Sequence, residues 1–239
     1  RLAAVDLKLV EHVAGIRTAD LPLDLPLDEL IKANIAELTA YQDTRYAARY
    51  ERMIAGARVA AADLGSKGQD FVRAVATYGF KLLAYKDEYE VARLLLDTHA
   101  KAAEAFDGDV KLTYHLAPPM LTKTGADGRP VKKQYGARMA KLFPLLAKMK
   151  GLRGTWFNPF GRTDERRMER ALIKEYEADM AEVHQILRPD TKADAITLAR
   201  LPMDIRGFGP VKEANARKAA KQRETLLAVI RSKPAAQVA

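Results

Sequence analysis

The sequence contains no cysteine. Disulfides, thiolate zinc sites, cysteine-ligated iron–sulfur clusters and a cysteine nucleophile are therefore excluded from this chain. A reducing compartment suits such a composition, and the cytoplasm is the expected location. Long apolar runs are missing as well. None approaches the roughly 18 residues that a spanning helix needs, so no helical membrane span is expected. Serine is scarce, with only Ser66 and Ser232, and neither lies in a GxSxG turn. The four histidines (His12, His99, His115 and His184) stand far apart, with no HExxH spacing. What is present is a globular composition: 239 residues, 48% apolar and 30% charged, with 14 Gly and 11 Pro. That length fits one large domain or two small ones.

Most of the chain carries helical periodicity. After the turn-rich stretch before Leu27, apolar residues recur at Leu30, Ile31, Ile35, Leu38, Tyr41, Tyr46, Tyr50 and Met53, as on one face of a long helix. The segment from Leu64 to Gln69 reads as a break. A second long helix is expected through Phe71, Val75, Leu82, Tyr85, Tyr89 and Leu94, with Gly79 a weak point inside it. Asp97 is placed to cap a shorter helix reaching Phe106. From Asp107 to Gly161 the character changes. Val110, Leu112, Tyr114 and Leu116 alternate with polar residues, as in a strand, and Val131 suits its return after a turn. A helix from Tyr135 to Lys148, interrupted at Pro144, precedes a loop that holds the only Trp. Thr163 then fits an N-cap, followed by the stripe Met168, Leu172, Tyr176, Met180, Val183 and Leu187, which Pro189 ends. A short helix after the cap candidate Asp190 and a last helix from Pro210 complete the expectation. The fold class is thus mostly α, with a small irregular β-hairpin insertion around residues 108–135.

The formal net charge is +9, and it is unevenly spread. Residues 1–100 carry 13 basic and 15 acidic residues, whereas residues 101–160 carry 11 and 4. A middle segment this basic points to an anionic partner or to a solvated basic surface. The basic residues Lys123, Arg129, Lys132, Lys133, Arg138 and Lys141 are the candidate contacts in it.

Three constellations remain as candidates for chemistry. Asp87 and Glu90 lie three apart on one helical face, as a carboxylate pair for acid–base work would. The commoner meaning of such a spacing, and the one expected here, is an ion-paired face in which Lys86 reaches Glu90. Arg166, Arg170 and Lys174 stack like charges along a ridge, which calls for an anion or for relief by Glu169. Ile205 to Lys212 (IRGFGPVK) leads into the last helix as a glycine-rich turn of the kind that holds phosphate, with Arg206 and Lys212 as anion contacts. It superficially matches the loop of a DNA-gripping helix-hairpin-helix. Lys212 stands where the last glycine of GxGxxG would be, and no GxxxxGK[ST] loop occurs. The GDG of thiamine-diphosphate sites is absent too, since Val110 follows Gly108-Asp109.

Four segments carry a resemblance. Tyr85 to Leu95 (YKDEYEVARLL), Tyr114 to Leu121 (YHLAPPML), Gly151 to Glu177 and Leu201 to Ala216 occur in the order found in the C-terminal region of the fused indolepyruvate ferredoxin oxidoreductases. The chain resembles that region over about residues 27–231. The resemblance implies a parent enzyme that oxidatively decarboxylates arylpyruvates or other 2-oxoacids to acyl-CoA. Such an enzyme uses thiamine diphosphate, magnesium and iron–sulfur clusters, with ferredoxin as electron acceptor. Those cofactor sites lie upstream in the family, so no catalytic residue is carried over and no cofactor or metal is expected within this chain. Residues 1–26, which open on Arg1 in an amphipathic pattern, are expected to end a preceding segment or linker. Residues 27–231 are then a helical accessory domain, and 232–239 a tail. The implied partners are the upstream catalytic domains, ferredoxin, and further subunits of an oligomeric parent enzyme. Coenzyme A phosphates are a weaker candidate for the basic segment. The alternative is a stand-alone helical protein that binds nucleic acid through IRGFGPVK, with Arg217, Lys218, Lys221 and Arg223 behind it.

Overall fold

The computed structural model describes residues 25–96, 102, 112–116, 125, 131, 133–207 and 209–232. It is mostly α with one antiparallel two-stranded hairpin, as the periodicity predicts. Among the described residues the helices are α1 (Leu27–Tyr41), α2 (Thr44–Ala60), α3 (Gly65–Leu83), α4 (Glu88–Leu95), α5 (Phe143–Lys148), α6 (Asp164–Ile186), α7 (Lys192–Arg200) and α8 (Pro210–Ser232). Strands β1 (Tyr114–Leu116) and β2 (Lys133–Tyr135) pair with Tyr114 opposite Tyr135. The chain divides into two compact units. A helical unit comprises residues 26–84 and those from Thr163 onward, and a hairpin unit lies within residues 85–162.

In the helical unit, α3 packs on α2, α6 and α7; α1 lies on α2, and α8 closes on α7. The apolar stripes meet here. Leu38, Tyr50, Phe71, Val75, Met180, Val183 and Ile230 are fully removed from solvent, each contributing roughly 1.5–3 kcal/mol through apolar burial. Tyr50, Tyr46 and Tyr176 each satisfy a hydroxyl on a helix carbonyl, at Ala76, Leu83 and Ala199 respectively. These bonds let large aromatic side chains enter the core without stranding a polar atom.

The breaks between helices fall elsewhere than the periodicity indicates. The first long helix is two. Asp43 is extended, and its carboxylate accepts from the Tyr46 backbone N–H at 2.7 Å, starting α2 afresh. The break expected at Leu64 to Gln69 lies a few residues earlier, between the end of α2 at Ala60 and Gly65. A short 3₁₀ turn, Ala62–Leu64, runs directly into α3 at Gly65, whose φ of 58° lies in the left-handed region. The second long helix also divides, at residues 84–87, and Gly79 is not the weak point. Gly79 is where α3 approaches its neighbours so closely that a β-carbon would collide with the end of the Met53 side chain and touch Tyr176.

The hairpin unit has its own small core of Ala92, Tyr114 and Phe143, with Tyr114 and Phe143 edge to face at 5.0 Å between centroids. Leu95, Tyr135, Met139 and Leu146 pack around it. The expected helix from Tyr135 is instead strand β2, a 3₁₀ stretch over Ala137–Leu142, and α5. Pro144 does not interrupt that helix. It occupies the first turn of α5, where its missing N–H costs nothing. Thr163 caps α6 as expected, its hydroxyl accepting from the Arg166 backbone N–H. The residue preceding α7 is Thr191, not Asp190, and its hydroxyl ties back to Arg188. Apart from Ala102, which is helical and buried, the expected helix from Asp97 to Phe106 lies outside the described residues, as do all of the hairpin turn but Gly125 and the terminal segments 1–24 and 233–239.

Candidate functional site

The hairpin unit is organised around α4. Asp87 is extended and caps that helix, accepting from the Glu90 backbone N–H at 2.9 Å. The same carboxylate receives two bonds from Arg153, Nε to Oδ2 at 2.5 Å and Nη2 to Oδ1 at 2.8 Å. Both side chains are buried, 4% and 6% exposed, so this is a desolvated, bidentate pair. The Arg153 guanidinium also stands over the Tyr89 ring, 5.6 Å from its centroid. The Tyr89 hydroxyl donates to Asn158 Oδ1 at 3.0 Å, and that oxygen also accepts from the Phe160 backbone N–H. Burial pushes the Tyr89 phenol up to about 12, which keeps it a donor at neutral pH. Two stretches far apart in sequence are thereby locked together, and the loop from Arg153 to Arg162 is held at Arg153 and again at Asn158 and Phe160.

At the tip of this braced loop, Trp156 and Phe157 are each 79% exposed. The Arg162 guanidinium lies over Trp156 at 4.7 Å and donates to its carbonyl oxygen. A fixed loop that presents two large aromatic side chains to solvent has the character of a contact surface.

Asp87 and Glu90 form the expected ion-paired face and not an acid–base pair. Asp87 faces Arg153, and Glu90 is held by Arg93 through two bonds of 2.9 Å. The cation on Glu90 is therefore Arg93 rather than the expected Lys86. In the helical unit, buried Glu169 accepts from both Arg166 and Lys212 at 2.5 Å. The ridge of like charges is relieved within the chain, and Lys212 is drawn inward from the IRGFGPVK turn. Arg206 in that turn donates to the Met203 carbonyl at 2.7 Å. Gly207 and Gly209 have φ of 97° and 54°, which only glycine adopts readily. The fold thus brings Arg166 and Lys212 together around one carboxylate. Arg170 on α6 is half-buried, while Lys133, Arg138 and Lys141 are exposed in the hairpin unit. Lys123, Arg129 and Lys132 lie outside the described residues.

Two further groups were not legible as partners in the sequence. The Lys81 ammonium donates to the Pro202 and Met203 carbonyls, and burial helps to draw it down to about 8. His184, edge-on to Phe71, is drawn down to about 4 by burial, and its Nε2 is buried without a hydrogen bond. No group of three or more His, Asp or Glu side chains suited to a metal ion occurs among the described residues. Nor is any of their helices long and apolar enough to cross a membrane.

A family pattern matches residues 27–225, almost the whole described chain. The chain belongs to the family of unknown function DUF6537. The match spans both units and includes the Asp87–Arg153 pair and the aromatic loop. No curated protein and no solved structure matches the chain.

Of the residues that matter here, Arg153, Asn158 and Arg162 carry no individual mark in the sequence. The only available signal was the single Trp set in a loop rich in glycine and proline.

Proposed function

We propose that this chain is a non-catalytic accessory region of an enzyme similar to the indolepyruvate ferredoxin oxidoreductases, contributing scaffold and partner contacts rather than reacting groups. One observation carries the reading. The carboxylates that look most like catalytic groups are committed to structure: Asp87 to a cap and a buried pair, and Glu90, Glu169 and Asp179 to arginine or lysine. Trp156 and Phe157, by contrast, are large aromatic side chains left in the open. The ordered resemblance of four segments supplies the parent enzyme, in which oxidation of arylpyruvates or other 2-oxoacids would rest on thiamine diphosphate, magnesium and iron–sulfur clusters held elsewhere. Upstream catalytic domains, ferredoxin and other subunits are its natural partners, and the cytoplasm its natural location.

The test is an immunoblot of source-cell lysate against this sequence, with the same fractions assayed for thiamine-dependent, 2-oxoacid-driven reduction of ferredoxin. The expected result is a polypeptide several times larger than 26.5 kDa that co-purifies with that activity. A free polypeptide near 26.5 kDa, separating from all such activity, refutes the proposal.

A further inference from the structure

The hairpin unit combines two features that the accessory reading leaves unassigned. The first is the exposed apolar surface: Trp156 and Phe157 on the braced loop, and Leu142 and Leu145, 50% and 60% exposed, on the outer side of the segment ending in α5. That side is outward by construction, because Phe143 and Leu146 turn inward to the small core. The second is charge of a single sign. Between Asp127 and Asp164 the chain has nine Lys and Arg residues and no acidic residue. Arg153 is committed to Asp87, whereas Arg138, Lys141, Lys148 and Arg162 are exposed. Lys141 and Lys148 flank Leu142 and Leu145 on the outer side, and Arg162 lies on Trp156.

We infer that this unit docks a protein whose contact surface is rich in carboxylates around an apolar seat, with Trp156 and Phe157 as anchors and Arg138, Lys141, Lys148 and Arg162 as the charges that steer it. The inference rests on the accessory reading and deepens it by naming the surface and the chemistry of the partner. Charge complementarity selects an acidic occupant, and the absence of any carboxylate in this stretch removes the repulsion that would disfavour one. Tryptophan and arginine beside each other on a rigid support are the residues that concentrate binding energy at protein interfaces. A nucleic-acid strand would stack bases on open ring faces, but Arg162 covers one face of Trp156. A lipid leaflet asks for no fixed loop geometry, whereas the Asp87–Arg153 pair and the Tyr89–Asn158 bond impose one here.

The experiment follows fluorescence anisotropy of labelled polymers with the full chain. The probes are a glutamate–tyrosine copolymer, poly-glutamate, oligothymidine, and vesicles containing phosphatidylserine. The copolymer, which joins carboxylates to apolar side chains, is expected to bind about tenfold or more tightly than poly-glutamate, and more weakly as salt rises. Replacing Trp156 and Phe157 together by Ala should remove that tenfold preference while weak salt-dependent binding stays. Lys141→Glu with Lys148→Glu should abolish binding of both polymers. Circular dichroism of each variant checks that the fold is intact. No copolymer binding at low salt overturns the inference, as does a copolymer affinity no better than that of poly-glutamate. Tighter binding of oligothymidine or of the vesicles overturns it in favour of that class of partner. A negative result leaves the accessory reading to its own size and activity test. Failure of that test alongside copolymer binding refutes the parent enzyme but not the surface.

Discussion

The helical unit and the hairpin unit solve the same problem by opposite means. The helical unit buries continuous apolar stripes from long helices, and its ion pairs, exposed as in Arg231 with Glu182 or buried as in Glu169 with Arg166 and Lys212, tie helices that apolar packing already brings together. The hairpin unit has short elements and a small core, so it leans on a buried ion pair and a tyrosine–asparagine bond to hold its loop. A small body cannot bury enough apolar surface to fix every loop by packing alone. Polar links then do the fixing, and they confine the geometry more narrowly than apolar contacts do.

The comparison breaks most readily at Asp87. Asp87→Ala leaves Arg153 buried without its counter-charge and should cost the hairpin unit about 3–5 kcal/mol. Trp156 is the only tryptophan, so its fluorescence in a urea titration reports that unit by itself. Far-UV circular dichroism is dominated by the longer helices of the other unit. Loss of the fluorescence transition with the dichroic transition kept is the expected result, and simultaneous loss of both would mean that the units do not differ in this way.

The reciprocal change is Met180→Ala, which should cost the helical unit about 2–5 kcal/mol as a cavity in a packed core. Here the dichroic transition should move to lower urea while the fluorescence of Trp156 stays put.

Glu169→Gln sharpens the contrast within the helical unit. It weakens the tie between α6 and α8 by removing the charge that Arg166 and Lys212 share, at about 1–3 kcal/mol. The shift in the urea midpoint should fade at high salt less than it would for an exposed pair, because all three side chains are largely buried.

His184 sets a pH dependence for the helical unit alone. Its folded-state value is drawn down to about 4, below the ordinary 6.5. Between these values the unfolded chain takes up a proton that the folded chain refuses, so stability falls as pH drops through that window and is flat above it. His184→Leu should lessen the fall of the thermal midpoint between pH 6.5 and 4, the remainder belonging to paired carboxylates such as Glu182.

The smallest effect belongs to the aromatic tip. Trp156→Ala with Phe157→Ala should leave the stability of both units within about 0.5 kcal/mol, since both side chains are exposed. Dichroism reads this double variant, which has lost its fluorophore. A large loss would make the tip part of the core and not a contact surface.

Much of the helical unit was legible in the sequence. The stripe from Met168 to Leu187 and the Thr163 cap are local patterns, and α6 follows them nearly residue for residue. The start of α8 at Pro210 was equally legible, because proline at a helix start needs no distant partner. The divisions at Asp43 and Asp87 were not. Apolar periodicity continues across both, and only a side chain that caps the next helix marks the stop. Gly79 shows the converse. Its low helix propensity is visible locally, but its reason, the approach of Met53 and Tyr176, is not.

The site was legible only in part. A pair of carboxylates three apart is visible in sequence, but their roles were decided by Arg153, 66 residues away from Asp87, and by Arg93. The sequence by itself determined which faces of the helices are apolar, that the chain has no thiol chemistry, and that one segment is basic without acidic relief. These are properties of composition and short-range period. The tertiary structure alone decided which charges neutralise one another, which carboxylates are withdrawn from chemistry, and that Trp156 and Phe157 point outward. Those outcomes depend on contacts between distant residues, and burial there turns a weak surface attraction into a strong, directional one.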